Sequence, residues 1–199
     1  VYRAAGLRTG LYTSPHLVRF GERLQINRVP MSDEAIARGV TELQDIVATL
    51  PGIEPTFFEF TTVLALRHFA AEGVDLVLWE TGLGGRLDAT NIVTPLASVI
   101  TNIGLDHQAV LVATVPQIAS EKAGIIKADV PVLTATEDPD ARAILEFKAR
   151  ELDAPFLSLG TPDALALTCP VGLYGPHQRL NAALAAATVR LLRALVPVT

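Results

Sequence analysis

Val74–Trp79, Leu96–Ile103 and Val130–Ala135 are short, almost unbroken apolar runs, and they constrain the fold of this chain more than any other feature. A strand covered by helices on both faces carries such runs, whereas a strand with one wet face alternates. Segments of helical period separate them. Ser32 is placed to cap a helix whose apolar positions Ile36, Val40, Leu43, Val47 and Leu50 step by four and three up to Pro51-Gly52. Phe58 to Ala71, closed by Gly73, reads as a second helix, and Thr114 and Gln117 have capping-box spacing for a short one through Lys122, stopped by Gly124. Asp138-Pro139 opens a helix to about Leu152, and the last runs from about His177 to Leu195. Further strands are expected at Arg8–Thr13, at Pro155–Leu159 and near Leu165–Leu173. The alternation predicts an α/β fold: a mainly parallel sheet flanked by helices, with a small additional β element near the C-terminus.

With 199 residues, half of them apolar, the chain can bury a substantial core, and no repeat or low-complexity linker divides it. One domain over 1–199 is expected. A formal charge of −5 provides no basic face for displacing counterions, so nucleic acid is excluded as a partner. Cys169 is the only cysteine, which rules out an internal disulfide and fits a reducing, cytoplasmic setting. The most apolar stretch, Leu180 to Val198, contains Asn181, Arg190 and Arg193 and therefore reads as a buried helix rather than a membrane span. The chain starts at Val1 without a methionine, and Gly6 is placed to end a helical turn, so a preceding segment is expected.

Open parallel sheets bind ligands outside the carboxyl ends of their strands, where Ser14, Glu80, Asn102, Asp106 and His107 fall in this reading. Glu80 also opens the string Glu80-Thr81-Gly82-Leu83-Gly84-Gly85-Arg86-Leu87-Asp88-Ala89-Thr90-Asn91, whose glycines let backbone approach another backbone or a ligand closely. Alone, that string fits a tight strand-to-loop turn with a solvated Glu80 better than a ligand loop.

The whole string resembles the signature of folylpolyglutamate and dihydrofolate synthases within the Mur ligase superfamily. Four more segments resemble the same family in the same order: Leu11-Tyr12-Thr13-Ser14-Pro15-His16-Leu17, Leu105-Asp106-His107, Glu121-Lys122-Ala123-Gly124-Ile125 and His177-Gln178-Arg179-Leu180-Asn181-Ala182-Ala183. The resemblance implies a Mur-type, P-loop-like central ATPase domain, with ATP and Mg2+ as cofactors and folate or dihydropteroate and L-glutamate as substrates. It implies that Ser14 and Glu80 ligate one magnesium ion and that His107 approaches another. Lys122 is implied to be carbamylated by carbon dioxide, which turns a cation into an anionic metal ligand; only the neutral amine reacts, so a depressed pKa is expected there. Asn181 is assigned to the adenine ring, and His177 and Gln178, which start the same helix, either neighbour the nucleotide or cap the helix. Thr56, Phe58, Asp88 and Ala89 are assigned to the pterin pocket, although for Phe58 a core contact competes with stacking on a pterin.

The implied chemistry is phosphorylation of the substrate carboxylate by ATP, followed by displacement of phosphate by the glutamate amine, acting in a monomer. Four departures from the family narrow it. The family's glycine-rich loop ending in Gly-Lys-Ser or Gly-Lys-Thr and its glutamate-binding domain are absent from these residues, so the chain alone is expected to be inactive. Val112 and Gly21 stand where the family commonly has glycine and asparagine. The rival readings are another Mur-type amino-acid ligase, a non-catalytic nucleotide- or folate-binding fragment, and a metal-dependent hydrolase using Glu80, Asp106 and His107.

Overall fold

The structure is a computed structural model that describes residues 1–104, 114–159 and 170–198. These form two compact units, Val1–Leu83 with Asp88–Ile92, and Gly84–Leu87 with Val93–Thr199.

In the first unit, a short 3-10 turn, Tyr2–Ala5, ends at Gly6 with φ 93°. The apolar alternation after it forms β1 (Thr9–Tyr12), followed by β2 (Leu24–Ile26), β3 (Val29–Pro30), α1 (Asp33–Ala48), α2 (Phe57–Ala71) and β4 (Leu76–Trp79). The sheet order is β3-β2-β1-β4, with β1 parallel to β4 and the other pairs antiparallel. The β2–β3 hairpin is additional to the expected elements. Ile26 pairs with Val29 across two residues, Asn27 and Arg28, that both adopt positive φ (51° and 71°), the backbone a two-residue hairpin demands. Asparagine tolerates that conformation and arginine does not advertise it, so the turn was silent in the sequence.

Helices α1 and α2 start where their caps dictate. The Ser32 hydroxyl accepts from the Ala35 amide, and Thr56 forms a capping box with Glu59. Tyr12, Leu24, Met31, Leu43, Leu64, Ala65 and Phe69 form the core, joined by the half-buried Ile36, Val40 and Trp79. The stripe of α1 fades toward its end, where Leu50 is exposed. The run containing β4 was expected to be buried on both faces, but Leu78 is 50% exposed. Val77 and Trp79 face the packed side, and their neighbour in sequence points the other way.

In the second unit, β5 (Ser98–Ile100), β6 (Val132–Thr134) and β7 (Phe156–Ser158) are all parallel, in the order β5-β6-β7. The connecting helices are α3 (Val115–Ala123) and α4 (Pro139–Glu151), with α5 (Pro176–Leu191) after β7. Val132 packs with Ile100, Ile118, Leu145 and Ala149, while Leu133 packs with Leu159, Leu180 and Leu184. Adjacent residues of β6 thus bury on opposite faces, as its apolar run predicts. Asp138 caps α4 as expected, accepting from the Ala141 amide. Thr114 does not cap α3 with its side chain; its hydroxyl donates instead to Gln117 Oε1 at 2.8 Å.

The α/β class and the parallel pairings stand as expected. The additional β element near the C-terminus falls largely on residues 165–169, outside the described residues, and residues 170–173 form no strand. Among the described residues no helix is long and apolar enough to cross a membrane.

Candidate functional site

Parallel pairing of β1 with β4 sets Tyr12 beside Trp79, so the chain leaves both strands at the same end of the sheet. The Glu80 amide still donates to the Tyr12 carbonyl at 3.1 Å, and two residues beyond Tyr12 the Ser14 amide donates to Glu80 Oε2 at 2.9 Å. Two residues far apart in sequence are thereby fixed side by side at the carboxyl end of the strands. Glu80 is exposed, and among the described residues its second carboxylate oxygen has no hydrogen-bond donor.

The loop after Ser14 is held by a residue pair that the sequence reading left without a role. The Glu22 carboxylate accepts from the amides of Leu17 (2.8 Å), Val18 (3.2 Å) and Arg19 (2.9 Å). These bonds, first the one from Leu17, pull its carboxyl below the usual range, because each favours the charged form. Arg23 is almost fully buried; its Nε donates to His16 Nδ1 at 2.9 Å and its guanidinium lies 5.6 Å from the Phe57 ring centre. Adjacent acidic and basic residues usually read as a solvated pair, so only the fold could expose this role. Gly21, where asparagine is common in the family, fits its site: a Cβ there would lie 2.2 Å from the Met31 carbonyl oxygen.

The residues assigned to the pterin are engaged within their own unit. The Thr56 hydroxyl caps α2. Phe58 is half-buried, its ring 6.0 Å from that of Tyr12 and packed so closely on Gly82 that a Cβ there would lie 2.4 Å away. Phe58 therefore makes core contacts. Phe57 is the exposed ring, at 64%. The Asp88 carboxylate accepts from the amides of Leu83 (2.8 Å) and Thr90 (2.9 Å), and Ala89 begins the turn Ala89–Ile92.

In the second unit, Lys122 is half-buried in the last turn of α3, and no salt bridge to it occurs among the described residues. Asn181 is exposed on α5 one turn after the exposed His177, so its amide carries no burial cost. Neither His177 nor Gln178 caps that helix with its side chain; Gly175 is the N-cap and Pro176 follows it. Gly85 and Gly124 are the points of closest approach. A Cβ on Gly85 would lie 2.7 Å from the Glu121 carbonyl oxygen, and one on Gly124 would lie 2.3 Å from Arg86 Cβ. The glycines therefore serve backbone-to-backbone packing. Arg86 donates from Nη2 to Glu121 Oε1 at 2.8 Å, and this bond pushes the guanidinium pKa up. His107 and Asp106 lie outside the described residues, as does Val112. Among the described residues no three of His, Cys, Asp and Glu cluster.

No family model matches the chain. The dihydrofolate synthase/folylpolyglutamate synthase of Bacillus subtilis is 41% identical over 206 residues, covering 90% of this chain and 47% of the relative. The folylpolyglutamate synthase of Lacticaseibacillus casei is 40% identical and covers 79% and 38%. Among solved structures, an FPGS–AMPPCP–folate complex superposes with a TM-score of 0.86 at 32% identity, covering 99% of this chain and 54% of that one. A Yersinia pestis bifunctional folylpolyglutamate synthase/dihydrofolate synthase complexed with AMPPNP and manganese gives 0.81 at 32%, covering 94% and 47%.

The fold is that of a Mur-ligase-like α/β protein. Over the residues it spans, the chain belongs to the folylpolyglutamate synthase/dihydrofolate synthase family. It spans less than half the length of these curated relatives.

Proposed function

We propose that this chain is the nucleotide- and metal-binding part of an ATP-dependent ligase that joins L-glutamate to a folate or dihydropteroate carboxylate. The observation that carries the reading is the Ser14–Glu80 pair at neighbouring parallel strand ends, in a chain whose relatives bear that enzyme's name. Amide formation from a carboxylate needs a better leaving group than hydroxide. Transfer of the ATP γ-phosphoryl to that carboxylate gives an acyl phosphate and ADP, and the glutamate amine then displaces phosphate.

The donor set fits magnesium, a hard cation: a serine hydroxyl and a carboxylate with one oxygen unengaged among the described residues. Ser14, Glu80, His107 and Lys122 would hold the ions, Lys122 as a carbamate formed from its neutral amine and carbon dioxide with loss of a proton. Bound there, the ions would neutralise charge between triphosphate and carboxylate. The Ser14–Glu80 bond keeps the hydroxyl-bearing loop against the carboxylate, so these donors need little reorganisation. Asn181, His177 and Gln178 receive the nucleotide from the outer face of α5. Because the Thr56 hydroxyl and the Asp88 carboxylate are committed to local structure, their segments act on the pterin through backbone and shape, with Ala89 and the rings of Phe57 and Phe58. We place this activity in a monomeric cytoplasmic enzyme.

Calorimetry of the chain with magnesium AMPPNP and with dihydropteroate tests the reading. Binding of both is expected. Failure of both, or binding of a UDP-linked cell-wall precursor in place of dihydropteroate, overturns it.

A further inference from the structure

The loop Gly84–Leu87 and the end of α3 are joined by more contacts than a passing turn requires. The Arg86 amide donates to the Glu121 carbonyl at 2.9 Å, an oxygen that also receives the Gly124 amide at 3.2 Å. The Arg86 side chain returns to the same residue, with Nε at 3.2 Å and Nη2 at 2.8 Å from Glu121 Oε1. Two glycines without a Cβ let the backbones meet: Gly85 against Glu121 and the Lys122 Cα, and Gly124 against Arg86. Lys122 sits between the two gripped residues, in the last turn of a nine-residue helix, where helices fray.

We propose that Arg86 is a positioning residue for Lys122, gripping Glu121 by backbone and guanidinium together and so fixing the helix end from which the lysine projects. This deepens the proposed ligase site and rests on Lys122 serving in it. The grip has two parts of different kind. The backbone bond and the glycine contacts set the distance between loop and helix. The forked ion pair sets the rotation of the last turn, because a guanidinium offers a planar fork with fixed directions, which an ammonium cannot supply. A partly exposed ion pair stabilises little by itself, so its consequence here is order rather than fold stability. A guanidinium committed to Glu121 is also a poor candidate for binding triphosphate directly.

The test uses the full chain, with two readouts on each variant. Hydrogen exchange reports the amides of Gly124 and Ile125, which bond to the Glu121 and Lys122 carbonyls. Trapping with 13C-bicarbonate, read by mass, reports carbamate on Lys122. R86A and the milder R86K are expected to speed exchange at these amides about tenfold and about threefold, and to lower carbamate by at least threefold. The charge-swapped R86E/E121R pair is expected to restore both readouts to within twofold of the unsubstituted chain. Unchanged exchange in R86A overturns the proposal, and so does a charge swap that stays as poor as R86A. If the unsubstituted chain carries no carbamate, the role of Lys122 in the proposed function falls, while the exchange series still decides the grip.

Discussion

The Ser14 amide lies 2.9 Å from Glu80 Oε2, so a single hydrogen bond ties the loop after one strand to the end of its parallel neighbour. Removing the carboxylate charge while keeping an acceptor separates loop anchoring from metal binding. Glu80→Gln is expected to leave the thermal midpoint within a few degrees and to weaken manganese binding at least tenfold, measured by titration calorimetry in the presence of AMPPNP. Unaltered manganese affinity removes Glu80 from the metal site.

Gly124 faces Arg86 so closely that an added methyl has nowhere to go. Gly124→Ala is expected to destabilise the chain by about 1–3 kcal/mol, the cost of overpacking a contact between backbones. Gly172→Ala is the control, since among the described residues nothing lies within 4 Å of its Cβ position. Urea midpoints of the two variants, compared at constant slope, decide the matter; equal midpoints contradict the close packing.

The three amides on Glu22 make the Leu17–Arg19 loop sensitive to acid. Its folded carboxyl titrates below the unfolded value of roughly 4.3, so the stabilisation is complete above that pH and disappears as pH falls through the folded value. Hydrogen exchange at these amides, corrected for intrinsic rates, should be flat from neutral pH down to about that unfolded value and accelerate below it. Glu22→Gln should give a loop that exchanges faster at neutral pH and lacks the acid step. A retained acid step would assign it to another group.

Thr56 and Phe58 test local structure against ligand contact. Thr56→Ala is expected to cost about 1 kcal/mol, as loss of an N-cap does, and Thr56→Ser to restore most of it. Phe58→Ala should fall at or below the low end of the roughly 3–5 kcal/mol seen for buried phenylalanines, whereas Phe57→Ala should change stability little, its ring being largely exposed. Denaturant titration without any ligand measures all four, and a Phe57 cost equal to that of Phe58 contradicts the packing.

The sequence by itself determined the helices, because caps such as Ser32 and Asp138 and the apolar spacing of Leu43 with its neighbours are local signals that the backbone obeys. It also determined the parallel strands, of which β6 is buried on both faces, and, through five ordered motifs, the family. Tertiary structure alone decided what each polar residue does. Thr56 and Asp88, assigned to the pterin pocket, also hold their own segments by hydrogen bonds, while Glu22, Arg23 and Arg86, residues without an expected role, anchor loops. The physical reason is that a side chain's hydrogen-bond partner is fixed by which backbones the fold brings within about 3 Å, and strand pairing and glycine contacts join residues dozens of positions apart. The Asn27-Arg28 hairpin belongs with these, since arginine takes up positive φ only when the sheet on either side requires it.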